Sequence, residues 1–239
     1  MNLYTIHILF LGIAFFQTLF IFVQWLFFRR EEYLFYIAYI TAIIFFILFR
    51  INDALPYPAV SIPEWLRRIT YQPLGIFSYW MYLCFARSFL NLKNSQPRVY
   101  TYVSRMETVM LVFIAVCIVL APFRLQTEYL ALLYFIGYIV MLYFCIPAFV
   151  LMLRQKDILN NFLVFGCFFY VAGGFSGMVF NYALNKFSSN NLNVFFGVEI
   201  GILLELLLLN TGFMLKNRIL QHQVLGGQSK ILSERKMDW

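Results

Sequence analysis

Charge is scarce in this chain. Only 12% of its 239 residues are Asp, Glu, Lys or Arg, while 62% are hydrophobic, a balance that excludes an ordinary soluble domain. The alternating ten-residue segments that build a transmembrane β-barrel are absent too. Histidine occurs twice, at His7 near one expected membrane surface and at His222 in the tail, so the two cannot form a metal site or a proton relay. The four cysteines, Cys84, Cys117, Cys145 and Cys167, all fall in apolar stretches, where a thiol behaves as a small hydrophobe. None lies in a loop, which excludes an extracellular disulfide staple and a CxxC metal or redox site. No nucleophile, base and orienting group occur together, so the sequence predicts no enzymatic activity, no metal and no cofactor. The first apolar run begins almost at Met1, without a basic n-region or a small-residue cleavage site before Arg29, and is expected to be a retained helix, not a signal peptide.

What the chain has is hydrophobic length. A bilayer core of about 30 Å needs roughly 20 apolar residues per helical crossing, and helices satisfy their own backbone groups in lipid. Runs of that kind recur at 4–28, 33–50, 69–92, 103–122, 129–153, 158–184 and 192–215. The sequence therefore predicts an all-α polytopic membrane protein, a seven-transmembrane helix bundle over 1–216 with a cytoplasmic stalk or linker over 217–239. Arg105 and Glu107 shorten the apolar core of the fourth run to 108–121.

The formal net charge of +7 comes from basic residues scattered at helix ends, with no patch interleaved with stacking aromatics, so nucleic acid is not an expected partner. With the N-terminus outside, 13 of the Lys and Arg residues fall on inside segments and 5, namely Arg50, Arg67, Arg68, Arg124 and Lys186, on outside ones. That asymmetry predicts an outside N-terminus and a cytoplasmic C-terminus. The longest outside connection, 51–68, holds three of the seven prolines and is expected to form a semi-rigid cap or a plain connector. In the tail, Gly226 and Gly227 are expected to break helical continuity. Its 24 residues are too few for an independent catalytic domain.

The polar residues inside the runs carry the chemistry. In VEIGILLELLLLNTG, residues 198–212, two glutamates interrupt an otherwise lipid-like segment. At about 100° per residue Gly197, Gly201, Glu205 and Gly212 share one face, and small residues four apart let helices approach closely. Glu199 and Asn210 project together in another direction, so the two acids cannot form one carboxylate pair. An isolated carboxylate in lipid costs on the order of 2.5–3.5 kcal/mol on insertion scales, so each must pair, protonate or face water. Arg50 is the expected partner of Glu199. Asn181, Tyr170 and Ser176 are the expected neighbours of Glu205. The sixth run repeats the small-residue theme, with Gly166, Tyr170, Gly173, Gly177 and Asn181 on one stripe. Packing alone is one role for that stripe, and a mobile contact that carries a signal is the other. Gln17 and Gln24 face one way as interhelical hydrogen-bonding groups, Pro147 is expected to kink the fifth run, and Tyr79, Tyr82, Tyr134 and Tyr138 are candidates for lining a pocket. Lys216 lies at the inner end of the last run, which excludes a retinal linkage deep in that helix.

Three segments resemble a known family. LLELLLLNTGFMLKNRI is similar to the last helix of the bacterial seven-transmembrane receptors with diverse intracellular signalling modules. EEYLFYIAYI, residues 31–40, resembles the start of that family's second helix, and FARSFLNLKNSQPRVY, residues 85–100, the end of its third helix and the loop after it. The resemblance implies a receptor core that passes an extracellular or membrane signal to a cytoplasmic output domain or protein, and it maps the family's glutamate onto Glu205. It also implies a multi-pass protein of the bacterial inner membrane, with the lipid bilayer and an unidentified small ligand as partners and a homodimer as one assembly open to it. Such receptors commonly carry an exterior domain and an output domain. The chain is therefore expected to be a core cut from a longer receptor or one that recruits a separate output protein. The competing reading is a secondary transporter with Glu205 and Glu199 as proton or cation sites, against which stand the missing inverted repeat and broken-helix pair.

Overall fold

The computed structural model describes residues 3–54, 63–120, 127–185 and 193–237. Within these helices, side chains are described at 5–49, 51–52, 73–120, 136, 139–173, 176 and 197–223. The described residues are helical apart from short turns: α1 Leu3–Phe28, α2 Glu31–Ala54, α3 Glu64–Phe89, α4 Leu92–Ser95, α5 Pro97–Leu120, α6 Thr127–Arg154, α7 Ile158–Asn185 and α8 Asn193–Met237. Among them four stretches are long and apolar enough to cross a membrane: Thr5–Phe28, Glu31–Phe49, Pro97–Leu120 and Gly197–Gln223. Ile139–Arg154 and Ile158–Gly173 are shorter apolar helices.

Local chemistry sets the helix starts. Glu31 and Glu32 occupy the first turn of α2, where the exposed N–H groups favour negative charge. Pro97 opens α5 at a position where its missing N–H costs nothing. The Asp157 carboxylate accepts a hydrogen bond from the Leu159 N–H at 3.0 Å and caps α7. Three non-glycine residues with positive φ end helices at one end of the molecule: Arg29 after α1, Asn91 after α3 and Lys156 after α6. Each costs roughly 1–2 kcal/mol relative to right-handed backbone, least for asparagine.

Three boundaries differ from expectation. The ends of the stretch 51–68 are helical, because α2 continues to Ala54 and α3 begins at Glu64; the expected cap falls on 55–62, outside the described residues. The fourth run starts at Pro97 and not at 103, since that proline nucleates the helix ahead of the apolar core and the Arg98–Arg105 turns extend it. Most notably, α8 runs unbroken through Gly226 and Gly227 to Met237. Glycine costs about 1 kcal/mol relative to alanine in a helix interior, but it removes no hydrogen bond, so the pair weakens the helix without ending it. Likewise α6 continues through Pro147 and α3 through Pro73.

The long helices form a closed ring, each touching the next, α1 to α2, α3, α5, α6, α7 and α8, with α8 returning to α1. Inside it α2, α3 and α8 share an aromatic centre. Tyr33, Tyr36, Tyr39, Phe85, Phe89 and Phe213 are all fully buried, and the Phe213 ring sits 4.9, 5.5, 5.6 and 5.1 Å from those of Tyr33, Tyr36, Phe85 and Phe89. Apolar side chains such as Phe16, Phe27, Ile118, Tyr143, Phe168 and Leu207 point outward, the arrangement a lipid surround requires.

The most extensive helix contact is α7 on α8, and glycine makes it. A Cβ on Gly201 would lie 2.5 Å from the Phe169 carbonyl oxygen and 3.1 Å from Gly173 Cα; one on Gly173 would collide with the Gly197 carbonyl oxygen and lie 2.9 Å from Gly201 Cα. Backbone rests directly on backbone, so side chains cannot give way. Gly173→Leu is therefore expected to destabilise the bundle by at least about 1–3 kcal/mol. Gly75→Ala, whose Cβ would meet only Phe46 at 3.6 Å, is expected to be neutral or stabilising by up to about 1 kcal/mol. Denaturant unfolding in micelles followed by circular dichroism distinguishes the two, and equal midpoints would contradict the seam.

Candidate functional site

Five polar residues along α8, Glu199, Glu205, Asn210, Lys216 and Asn217, each meet a partner from another helix. Over roughly 26 Å of axis, at 1.5 Å per residue, this ladder covers most of a bilayer core. Glu199, 1% exposed, lies with its Oε1 2.6 Å from Nδ1 of His7 on α1, itself 0% exposed. Asn210 accepts a hydrogen bond from Gln17 Nε2 at 2.5 Å, also on α1. Glu205, fully buried, accepts a hydrogen bond from the Tyr39 hydroxyl of α2 at 2.5 Å, with the Tyr82 ring of α3 tilted against that of Tyr39 at 5.2 Å. At the foot of the ladder the Lys216 ammonium donates to Glu32 Oε1 at 2.7 Å and to the Phe89 carbonyl at 2.6 Å. The Asn217 amide donates to the Tyr33 oxygen at 2.9 Å. That last pair of contacts locks the α1–α2 turn, the end of α3 and the exit of α8 together.

The surroundings of Glu205 distinguish it from the other rungs. Its stem packs on α7, where a Cβ on Gly166 would stand 3.3 Å from Glu205 Cγ, while its carboxyl reaches across to α2. Oε1 has no hydrogen-bond partner among the described residues, and neither has the buried Tyr36 hydroxyl. Tyr170 of α7 lies edge-on to Tyr39 at 6.5 Å and beside Tyr79 at 5.4 Å. The Glu205 side chain thus joins α2, through its carboxyl, to α7, through its stem, and any sliding of α7 along α8 changes its surroundings.

Several partners differ from those the sequence pointed to. Glu199 meets His7, whereas the Arg50 side chain lies outside the described residues. His7 shares the buried stripe of α1 with Phe10, Ala14, Gln17 and Ile21; its spacing of ten residues from Gln17, three helical turns less a fraction, was the signal for this. Glu205 bonds to Tyr39 of α2, while its stem rests on Gly166 of the sixth run. The Ser176 hydroxyl bonds to the Gly173 carbonyl of its own helix at 2.9 Å, and the side chain of Asn181 and the surroundings of Gly177 fall outside the described residues. Gly197, Gly201 and Gly173 come together at the seam, and Gly212 faces Phe162 and Phe89, each 3.4 Å from where its Cβ would be. Gln24 keeps a buried oxygen without a partner among the described residues. Tyr82 is buried in the core; Tyr134 and Tyr138 lie outside the described side chains. No disulfide joins the four cysteines, and no group of three metal-ligating side chains occurs among the described residues.

Removing one member of a buried pair leaves the other without compensation, at a cost of about 3–5 kcal/mol when the pair is ionic. His7→Leu and Glu199→Leu are each expected to destabilise strongly, and the double variant less than the sum of the two. Additive effects in unfolding titrations would show that the contact does not couple α1 to α8.

Comparison with known proteins agrees with this architecture. No curated protein and no solved structure matches the chain. A family model described as 7TM diverse intracellular signalling matches residues 3–216, which takes in every rung of the α8 ladder up to Lys216. The chain is a multi-pass membrane protein and belongs to the 7TM diverse intracellular signalling family.

Proposed function

We propose that this chain is the sensor core of a bacterial inner-membrane receptor, in which a small outside ligand or a change in the bilayer shifts α7 against α8 and α8 carries the displacement to a cytoplasmic output domain or protein. The reading has seven spans, 1–216, with the N-terminus outside and 217–239 as a cytoplasmic stalk, and it assigns the chain no catalytic activity. The observation that carries it is the position of Glu205 on an unbroken helix. The carboxyl is buried where α2, α3 and α7 meet, with one oxygen held by Tyr39 and the other free of described partners, and the same helix continues 21 residues past Lys216 to Met237, roughly 30 Å of stalk. A glycine seam suits such a part, because two smooth backbones slide with less steric hindrance than interlocked side chains. A ligand acts here by binding one α7–α8 arrangement better than the other.

The alternative, a transporter that uses Glu205 and Glu199 as proton or cation sites, draws on the burial of both acids. The two acids, however, face different helices, Glu199 toward α1 and Glu205 toward α2.

Spin labels at positions 158 and 219, both exposed near the same end of α7 and α8, test the receptor reading in a cysteine-free background. Tyr39→Phe and Glu205→Gln are expected to move the distance distribution in the same direction by about 1–2 Å, the scale of interhelical shifts in switching proteins. Proteoliposomes should show no coupled flux with either the parent or Glu205→Gln. An unchanged distribution together with flux that Glu205→Gln abolishes would favour the transporter.

A further inference from the structure

On the far side of the ring from α8, α5 and α6 leave an open groove of about 470 Å³ between them, within the roughly 300–1,000 Å³ range of small-molecule sites. Its walls are almost wholly apolar: Val112 and Val116 of α5 face Ile136, Val140 and Phe144 of α6. At one end stands Arg105. Arg98 lies seven residues earlier and therefore within about 20° of the same face of α5, and both arginines are exposed.

Arg105 is out of place unless something meets it. It lies eight residues into a helix that reads as a membrane span from Pro97 onward, where an unpaired cation is costly. Glu107, the nearest acid in the chain, projects about 200° away and is buried in an ion pair with Arg87 at 2.7 Å. The hydroxyls of Thr101 and Thr108 donate back to the Pro97 and Ser104 carbonyls of their own helix, both at 3.0 Å, and neutral groups of this kind do not balance the Arg105 charge. Among the described residues neither Arg98 nor Arg105 has a carboxylate partner. From Arg105 to Val116 the groove runs roughly 16 Å along α5 at 1.5 Å per residue, about the span of one leaflet's acyl layer. A long arginine side chain so placed reaches back toward the headgroup level.

We propose that this groove binds one anionic glycerophospholipid, with an acyl chain lying between α5 and α6 along Val112, Val116, Val140 and Phe144 and the phosphate held by the Arg105 and Arg98 guanidiniums. Guanidinium and phosphate match in planar, two-pronged hydrogen bonding, while an apolar slot open to the bilayer accepts a chain that is already there. Charge at one end and hydrocarbon along the rest fit a lipid and not a free anion. The arginines stand at the end of the bundle that also carries Arg29, Arg30, Lys93 and Lys216, so the lipid belongs to the leaflet on that side.

The test uses the full chain, stripped of lipid in mild detergent and titrated with phosphatidylglycerol or phosphatidylcholine of identical chains, with bound lipid counted by native mass spectrometry. The parent is expected to retain one phosphatidylglycerol with a preference of about tenfold over phosphatidylcholine, the scale of one charge-assisted contact. Arg105→Gln should remove the preference, Arg98→Gln should reduce it, and Val140→Trp, which fills the slot, should abolish retention of both lipids while the thermal unfolding midpoint stays near that of the parent. Inorganic phosphate at millimolar concentration should not displace the lipid. Equal retention of the two lipids by the parent, a preference that survives Arg105→Gln, retention unaffected by Val140→Trp, or displacement by phosphate would each overturn the proposal.

Discussion

In hydrocarbon, a carboxyl or amide has no water to fall back on, and everything else in this bundle follows from where α8 puts such groups. Each of Glu199, Glu205, Asn210, Lys216 and Asn217 is met by a residue of another helix. These contacts fix α8 in rotation and in depth, because a turn of the helix or a shift of one residue would take several groups away from their partners at once. Apolar packing alone would not do this. Lipid tails compete with leucine on nearly equal terms, so specificity must come from polar pairs and from shapes that lipid cannot fill.

The glycine seam supplies the second kind of constraint. Where Gly173 rests on Gly201, no side chain separates the two backbones, and their approach maximises dispersion contact over a smooth surface. The two constraints act on opposite flanks of α8. One flank is registered by discrete polar contacts to α1 and α2, and the other is smooth against α7. Glu205 touches both flanks, Tyr39 on one and Gly166 on the other.

Much of the architecture was legible in the amino-acid sequence because a bilayer imposes length and polarity on every crossing. The helices at 4–28 and 158–184 were readable to within a few residues for that reason, as was the start of the last helix but not its end at Met237, and LLELLLLNTGFMLKNRI carried the family. Partners were much less legible. Glu199 and Asn210 could be placed on one face from their spacing, but periodicity gives a direction around a helix and says nothing of what stands opposite. His7 therefore looked like an isolated surface residue, although Gln17 ten positions later marked the same stripe. Tyr39 was hidden among 16 tyrosines and 29 phenylalanines, whose abundance at membrane interfaces masks the few that are buried. Gly226 and Gly227 misled in the opposite way, since a dipeptide that ends helices in turns need not do so where the flanking residues favour helix.

The contacts between α1 and α8 join residues 192 and 193 positions apart, so the ring is sealed by two helices far apart in the sequence. Until α8 enters the bilayer, His7 and Gln17 have no mates, and the first helix carries two unsatisfied polar groups into lipid. A nascent chain in which α8 has not yet inserted is thereby left open along one side, and the ring closes only when that helix arrives.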